Sequence, residues 1–269
     1  MSDPILTANH ISISFGGLKP VNDFSMNLSS GELVGLIGPN GAGKTTVFNL
    51  LSGVYHPDEG EIRLAGKRID RMPPHEVVAE GIARTFQNIR LFREMTVLDN
   101  VKVSMVPDAQ YSFLDATFRT PRFRRIEREQ DTHARELLRL FDLEQVADEL
   151  AENLPYGQQR KLEIARALGT NMKVLLLDEP AAGMNPTETA ELRESINLIR
   201  EKFGIAILLI EHDMSFVMNI CERIMVLDFG QKIAEGTPEM IAADPRVIAA
   251  YLGEDENTKE VLPDGNAED

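Results

Sequence analysis

The stretch "GPNGAGKT", Gly38 to Thr45, sets glycines and a lysine at the spacing G-x-x-x-x-G-K-[ST]. The chemistry open to such a loop is phosphate binding. Gly38, Gly41 and Gly43 let the backbone turn its N–H groups inward, with Pro39, Asn40 and Ala42 completing the cradle. Lys44 then reaches the β- and γ-phosphates of a nucleoside triphosphate, Thr45 offers a hydroxyl to Mg2+, and Thr46 continues a helix whose positive end faces the anion. A second group is "VLLLDEP", where Asp178 closes a buried strand and can hold Mg2+. Glu179, directed away from it, can take a proton from an attacking water. His212 closes "IAILLIEHD" at the same edge and can donate to a γ-phosphate. Gln87 in "ARTFQNIR" is either an amide that meets Mg2+ or the water, or an ordinary surface glutamine. The remaining histidines, His10, His56, His75 and His133, lack metal-ligand spacing.

These groups act together only if one sheet edge collects them. Short apolar strands alternate with helical patterns, which predicts an α/β protein with a largely parallel sheet. "ELVGLIG" is a buried strand running into the glycine loop, and "ISISF" and "FSMNL" around "GGLKP" predict a small antiparallel sheet before it. From residue 89 to 164 charged helical segments such as "IEREQDTHARELLRLFDL" replace the strands, as a helical insertion would. The alternation resumes at "KVLLLDEP", and "RIMVLDFGQKIAEG" predicts a hairpin turning at Phe229 and Gly230, followed by a short terminal helix ending near "AAYLG".

Composition excludes several classes. A formal charge of −15 opposes sequence-independent nucleic-acid binding, which needs a positive surface. Residues 254 to 269 hold seven acids against one lysine and read as a disordered, solvating tail. The single cysteine, Cys221, rules out an internal disulfide, and the first residues lack a secretory pattern, so a reducing cytosol is expected. No apolar run approaches the roughly 20 residues that cross a bilayer.

In their order along the chain, "GPNGAGKT", Gln87, "LPYGQQRKLEIARAL", "VLLLDEP", "AAGMNP" and His212 resemble the ATP-binding subunits of ABC transporters, over residues 5 to 253. The resemblance implies a P-loop ATPase (RecA-like) core, 1–88 and 165–253, with an N-terminal antiparallel β subdomain and an inserted α-helical subdomain, 89–164. These form one ABC ATPase domain, 1–253, ahead of the acidic tail. It implies ATP and Mg2+, the metal on Thr45, Gln87 and Asp178, with catalysis by Glu179, His212 and Gln87. Phe15 takes the place of the ring that stacks on adenine. In such proteins two subunits clamp two ATP molecules head to tail, each lying between one subunit's phosphate loop and the other's signature helix.

That signature is usually Leu-Ser-Gly-Gly-Gln, and here it is Leu154, Pro155, Tyr156, Gly157, Gln158. The serine hydroxyl is missing, while Gly157, Gln158 and the helix N-terminus remain to meet the partner's nucleotide. Tyr156 either supplies a replacement hydroxyl or only packs. Together with "KIAEGTPEMIAADPRVIAAYLG", the signature is similar to that of ATPases of bacterial branched-chain amino-acid importers; importers of urea, short amides or other amino acids use close relatives. The resemblance implies a second ATPase subunit, two membrane permeases, a substrate-binding protein reached indirectly, no nucleic acid, and peripheral attachment to the cytoplasmic face of the membrane. Ile89, Leu91, Phe92, Met95 and Val97 either line the permease groove or belong to the core. The cluster Arg119, Arg122, Arg124 and Arg125 is either a solvated helix entrance or an approach to anionic headgroups or permease loops. Competing readings are a soluble non-transport ABC ATPase and a subunit that binds ATP but barely hydrolyses it.

Overall fold

The computed structural model describes residues 4–108 and 112–257. The chain opens with β1 (Leu6–Phe15) and β2 (Leu18–Leu28), then β3 (Leu33–Ile37), α1 (Lys44–Leu51), β4 (Glu59–Leu64), β5 (Lys67–Arg68), α2 (Pro74–Glu80) and β6 (Ile82–Arg84). A helical stretch follows: α3 (Val97–Lys102), α4 (Phe113–Thr117), α5 (Pro121–Arg139) and α6 (Tyr156–Leu168). Then come β7 (Val174–Asp178), α7 (Pro186–Phe203), β8 (Ala206–Ile210), α8 (Met214–Ile220), β9 (Arg223–Asp228), β10 (Gln231–Gly236), α9 (Pro238–Ala242) and α10 (Pro245–Asn257).

The strands form two sheets, one antiparallel in the order β2-β1-β4-β5 and one in the order β10-β9-β3-β8-β7-β6. In the second, β9, β3, β8, β7 and β6 pair in parallel, and β10 returns antiparallel along β9 through the turn at Phe229 and Gly230. The central strands are buried along their whole length because both faces are covered, which is why "LVGLI", "VLLLD" and "AILLI" read as unbroken apolar runs. Period-two alternation divides them. Leu33, Ile37, Leu175, Leu177, Ile207 and Leu209 pack with the helical stretch and α7. Val34, Leu36, Leu176, Leu208 and Ile210 pack with Phe48 of α1 and with Ile11, Phe24 and Leu28 of the antiparallel sheet.

Local chemistry sets the helix ends. Asn185 caps α7 in a reciprocal arrangement with Glu188, Pro186 follows at the first turn, and Gly204 ends the helix at φ 60°. Thr120 caps α5 by accepting from the Phe123 N–H, with Pro121 next. Within the helical stretch α3 packs on both α5 and α6.

The structure departs from the sequence expectations in detail. The first hairpin turns at Gly16 and Gly17, so Leu18 to Pro20 of "GGLKP" already lie in β2. β4, β5 and β6 were not read from the sequence; they are short, and β4 and β5 are largely polar. Residues 254 to 257 of the acidic tail continue α10, and 258–269 lie outside the described residues. Among the described residues no helix is long and apolar enough to cross a membrane.

Candidate active site

β3 delivers the glycine loop to the carboxyl edge of the sheet, and α1 leaves from it. Two glycines there are dictated by close backbone contacts. A Cβ on Gly38 (φ 149°) would lie 1.9 Å from the Leu227 carbonyl oxygen, and one on Gly43 (φ 106°) 2.1 Å from that of Pro20. Gly41 is exposed and faces open space, on the accessible side of the cradle between exposed Asn40 and buried Ala42; Pro39 is buried. No side chain caps α1, so its first amide donors remain directed at whatever the loop holds. Lys44 is buried and donates from Nζ to the carbonyls of Gly38 at 2.5 Å and Pro39 at 2.8 Å. These contacts hold its ammonium over the loop, where phosphate oxygens would replace the two carbonyls. Thr45 is exposed and Thr46 half-buried.

Asp178, at the end of β7, is buried, and its Oδ2 accepts from Arg84 Nη2 at 2.9 Å. Sequence reasoning missed Arg84. It also donates to Asn49 Oδ1 of α1 at 2.7 Å and lies over the rings of Phe48 and Phe86. Its Nε is buried with no partner. An arginine closing the apolar "GIAR" three residues before Gln87 was the available signal, since a buried cation requires an anion.

Glu179 leaves the strand through a left-handed backbone turn (φ 49°), its N–H donating to the Ile210 carbonyl at 2.9 Å. That turn separates its carboxylate from Asp178 and brings it to two partners. His212 Nε2 lies 2.6 Å from Oε1, and Gln87 Nε2 donates to Oε2 at 2.7 Å. Gln87, Glu179 and His212 therefore meet at one point, although Gln87 is exposed and its amide nitrogen points to Glu179 rather than Asp178. Behind them Glu211, also missed, accepts from the N–H groups of Ala181 at 2.7 Å and His212 at 3.0 Å. Burial raises its pKa above the ordinary value, against the lowering effect of those N–H groups.

The signature segment begins α6 at Tyr156, with Pro155 at the cap position and no side chain capping the helix. Gly157 is buried against α7, where a Cβ would lie 2.6 Å from Glu188 Oε1; Gln158 is half-buried. The Tyr156 hydroxyl accepts from Arg160 Nη2 at 2.9 Å, so it is engaged within this chain. Arg160, itself buried, reaches across to the carbonyls of Phe86 at 2.9 Å and Gln87 at 2.5 Å, and Glu163 accepts from the Arg90 N–H at 3.3 Å. The segment carrying Gln87 is thus clasped by α6. Burial raises the pKa of Glu163. Val97 is buried in the core and Leu91 packs against it, Ile89 and Met95 are half-buried, and Phe92 is exposed beneath Arg166.

Phe15 is 46% exposed at the end of β1, with its ring edge-on to Tyr55 at 5.1 Å. The pair offers an aromatic platform, of which the sequence suggested only Phe15. The oxygen donors of Thr45, Asp178 and Gln87 suit Mg2+, which is held through one or two carboxylates together with substrate phosphates. Among the described residues no cluster of His, Cys, Asp and Glu could enclose a metal by itself.

Residues 21–182 match the family described as ABC transporter, and residues 231–257 match that described as branched-chain amino acid ATP-binding cassette transporter. The chain is 48% identical over 254 residues to the high-affinity branched-chain amino acid transport ATP-binding protein BraF of Pseudomonas aeruginosa, covering 94% of this chain and 100% of that protein. It is 36% identical over 250 residues to the lipopolysaccharide export system ATP-binding protein LptB of Haemophilus influenzae, covering 93% and 98%. The ADP conformation of MJ1267, an ATP-binding cassette of an ABC transporter, superposes with a TM-score of 0.80 at 32% identity, covering 94% of this chain and 100% of that one. A match spanning more than half the chain, with relatives this similar along nearly its full extent, establishes that the chain belongs to the ABC transporter ATP-binding family.

Proposed function

We propose that this chain is the ATP-hydrolysing subunit of an importer for branched-chain amino acids, working as one of two ATPase subunits beneath two permeases at the cytoplasmic face of the membrane. A substrate-binding protein would supply the solute. The observation that carries the catalytic reading is the meeting of Gln87, Glu179 and His212 at the sheet edge from which the glycine loop leaves. The solute is supported by the names of relatives such as BraF and by the match of residues 231–257.

In this mechanism Lys44 and the loop amides bind the β- and γ-phosphates, and the Phe15–Tyr55 platform orients the base. Glu179 accepts the proton of a water that attacks the γ-phosphorus in line. His212 and Lys44 donate hydrogen bonds to the oxygens on which charge grows. Thr45, Asp178 and Gln87 would hold Mg2+, which when bound neutralises phosphate charge. Arg84 keeps the Asp178 carboxylate in place. Since Gln87 occupies one Glu179 oxygen, its movement exposes the base, and the clasp from α6 ties that movement to the helix that faces the second subunit.

The test uses the chain assembled with its permeases and partner. Glu179→Gln is expected to bind ATP as the wild type does and to lose about 100-fold or more of the turnover at its own site. Unchanged hydrolysis would remove Glu179 from the role of base. Stimulation of hydrolysis by leucine-loaded binding protein, compared with urea or short amides, reads the solute separately.

A further inference from the structure

We infer that the corner between α4 and α5 is a membrane-contact surface, in which Leu114 and Phe118 enter the headgroup layer and Arg119, Arg122, Arg124 and Arg125 pair with anionic lipid headgroups. Leu114 is 65% exposed and Phe118 75% exposed, so both face solvent. The Phe118 N–H donates to the Leu114 carbonyl at 3.0 Å, which places the two one helical turn apart on the same side. The corner is firmly built. Ser112 and Asp115 form a reciprocal cap on α4, Thr120 caps α5, and its hydroxyl donates to Asp115 Oδ1 at 2.9 Å.

Charge identifies the partner. The chain carries −15, yet from Leu114 to Arg125 it has four arginines and one acid, Asp115. That carboxylate is engaged by Ser112 and Thr120, whose hydrogen bonds hold its pKa below the ordinary value. Arg119, Arg122 and Arg124 form no salt bridge among the described residues, and Arg125 has only an exposed contact with Glu129 at 3.7 Å. Exposed apolar side chains beside arginines that outnumber the nearby acids match the pattern by which proteins lie on an anionic bilayer. The recess beside the arginines, lined by Arg122, Arg125, Ile126 and Glu129, includes neither Leu114 nor Phe118. The inference rests on this corner alone, none of whose residues belongs to the proposed nucleotide site, and stands or falls separately from the transport reading.

The experiment is co-sedimentation of the full chain with vesicles of phosphatidylcholine alone or with added phosphatidylglycerol. Because the chain as a whole is repelled by negative vesicles, retention on them must come from a local patch. Wild type is expected on anionic vesicles only, and to be released by salt. Arg122→Glu and Arg124→Glu should each weaken partitioning by about fivefold or more. Leu114→Ser with Phe118→Ser should weaken it on the same vesicles, while all variants keep wild-type ATP binding. Absence of binding, equal binding to both vesicles, or insensitivity to these substitutions would overturn the inference. So would binding that requires permeases in the vesicle, which would give the corner to a protein contact.

Discussion

The Tyr156 hydroxyl bears on whether the signature has a substitute for its missing serine. It accepts from Arg160, and its ring packs so closely on Gly183 that a Cβ there would lie 3.2 Å away. Tyr156→Phe is therefore expected to cost about 1 kcal/mol of stability in chemical denaturation, and to leave turnover intact. Lost turnover with full stability would mean that the hydroxyl reaches a phosphate. Lys44→Ala removes a cation for which no other basic side chain substitutes in the loop. Two charge-assisted bonds of about 1.5 to 3 kcal/mol each imply ATP binding weaker by at least 100-fold in a nucleotide titration. The glycine loop and the acidic strand end could be read as candidates because each pattern is local, written in consecutive residues. Arg84 could not, because its partner Asp178 is 94 positions away and only the parallel pairing of β6 with β7 brings the two together.

At the scale of elements, α6 has two duties. Its first turn carries the segment that resembles the signature, and one turn later Arg160 fixes the backbone at Phe86 and Gln87. Arg160→Lys keeps the charge but loses the planar fork that reaches two carbonyls and the tyrosine. Faster amide exchange at residues 86 to 90 and reduced hydrolysis with unchanged ATP binding are expected; unchanged exchange would show that the clasp does not hold Gln87. The helix was legible from its pattern, yet burial of Arg160, Lys161 and Glu163 was not, since their cover arrives from distant segments. At the end of β8, Glu211 has its pKa raised from the ordinary 4.5 by burial. A carboxyl raised in the folded state lends stability below its unfolded value and withdraws it as pH rises through the folded one. Glu211→Gln should therefore gain stability relative to wild type as pH is raised from that value towards neutrality. Thermal melts across this range check it, and a difference that does not vary with pH would contradict the assignment.

Across the whole molecule, the alternation of apolar strands and helices made the α/β class legible, whereas the order in which the strands pair was not. Separate segments, β3, β7 and β8, had to be brought side by side before Lys44, Glu179 and His212 shared an edge. The result is a chain whose glycine loop, proposed base and histidine share an edge, while the start of α6 behind Pro155 has no capping side chain. In the head-to-tail pairing that the family resemblance implies, the two ends would serve different nucleotides, and the deficit would fall on the partner's site. Pro155 has φ −53° and ψ 152°, close to the backbone of a serine cap. Pro155→Ser can thus restore the hydroxyl with little rearrangement, and as a cap it should add about 1 kcal/mol of stability. With Glu179→Gln silencing this chain's own site, the remaining turnover of the assembled transporter comes from the partner's. A hydrogen bond to a charged group, about 1.5 to 3 kcal/mol, should then raise that residue of activity roughly tenfold or more in the Pro155→Ser, Glu179→Gln double variant. Stability rising while residual turnover stays fixed would show that the serine caps the helix and touches no phosphate, and the unequal-site arrangement would fail.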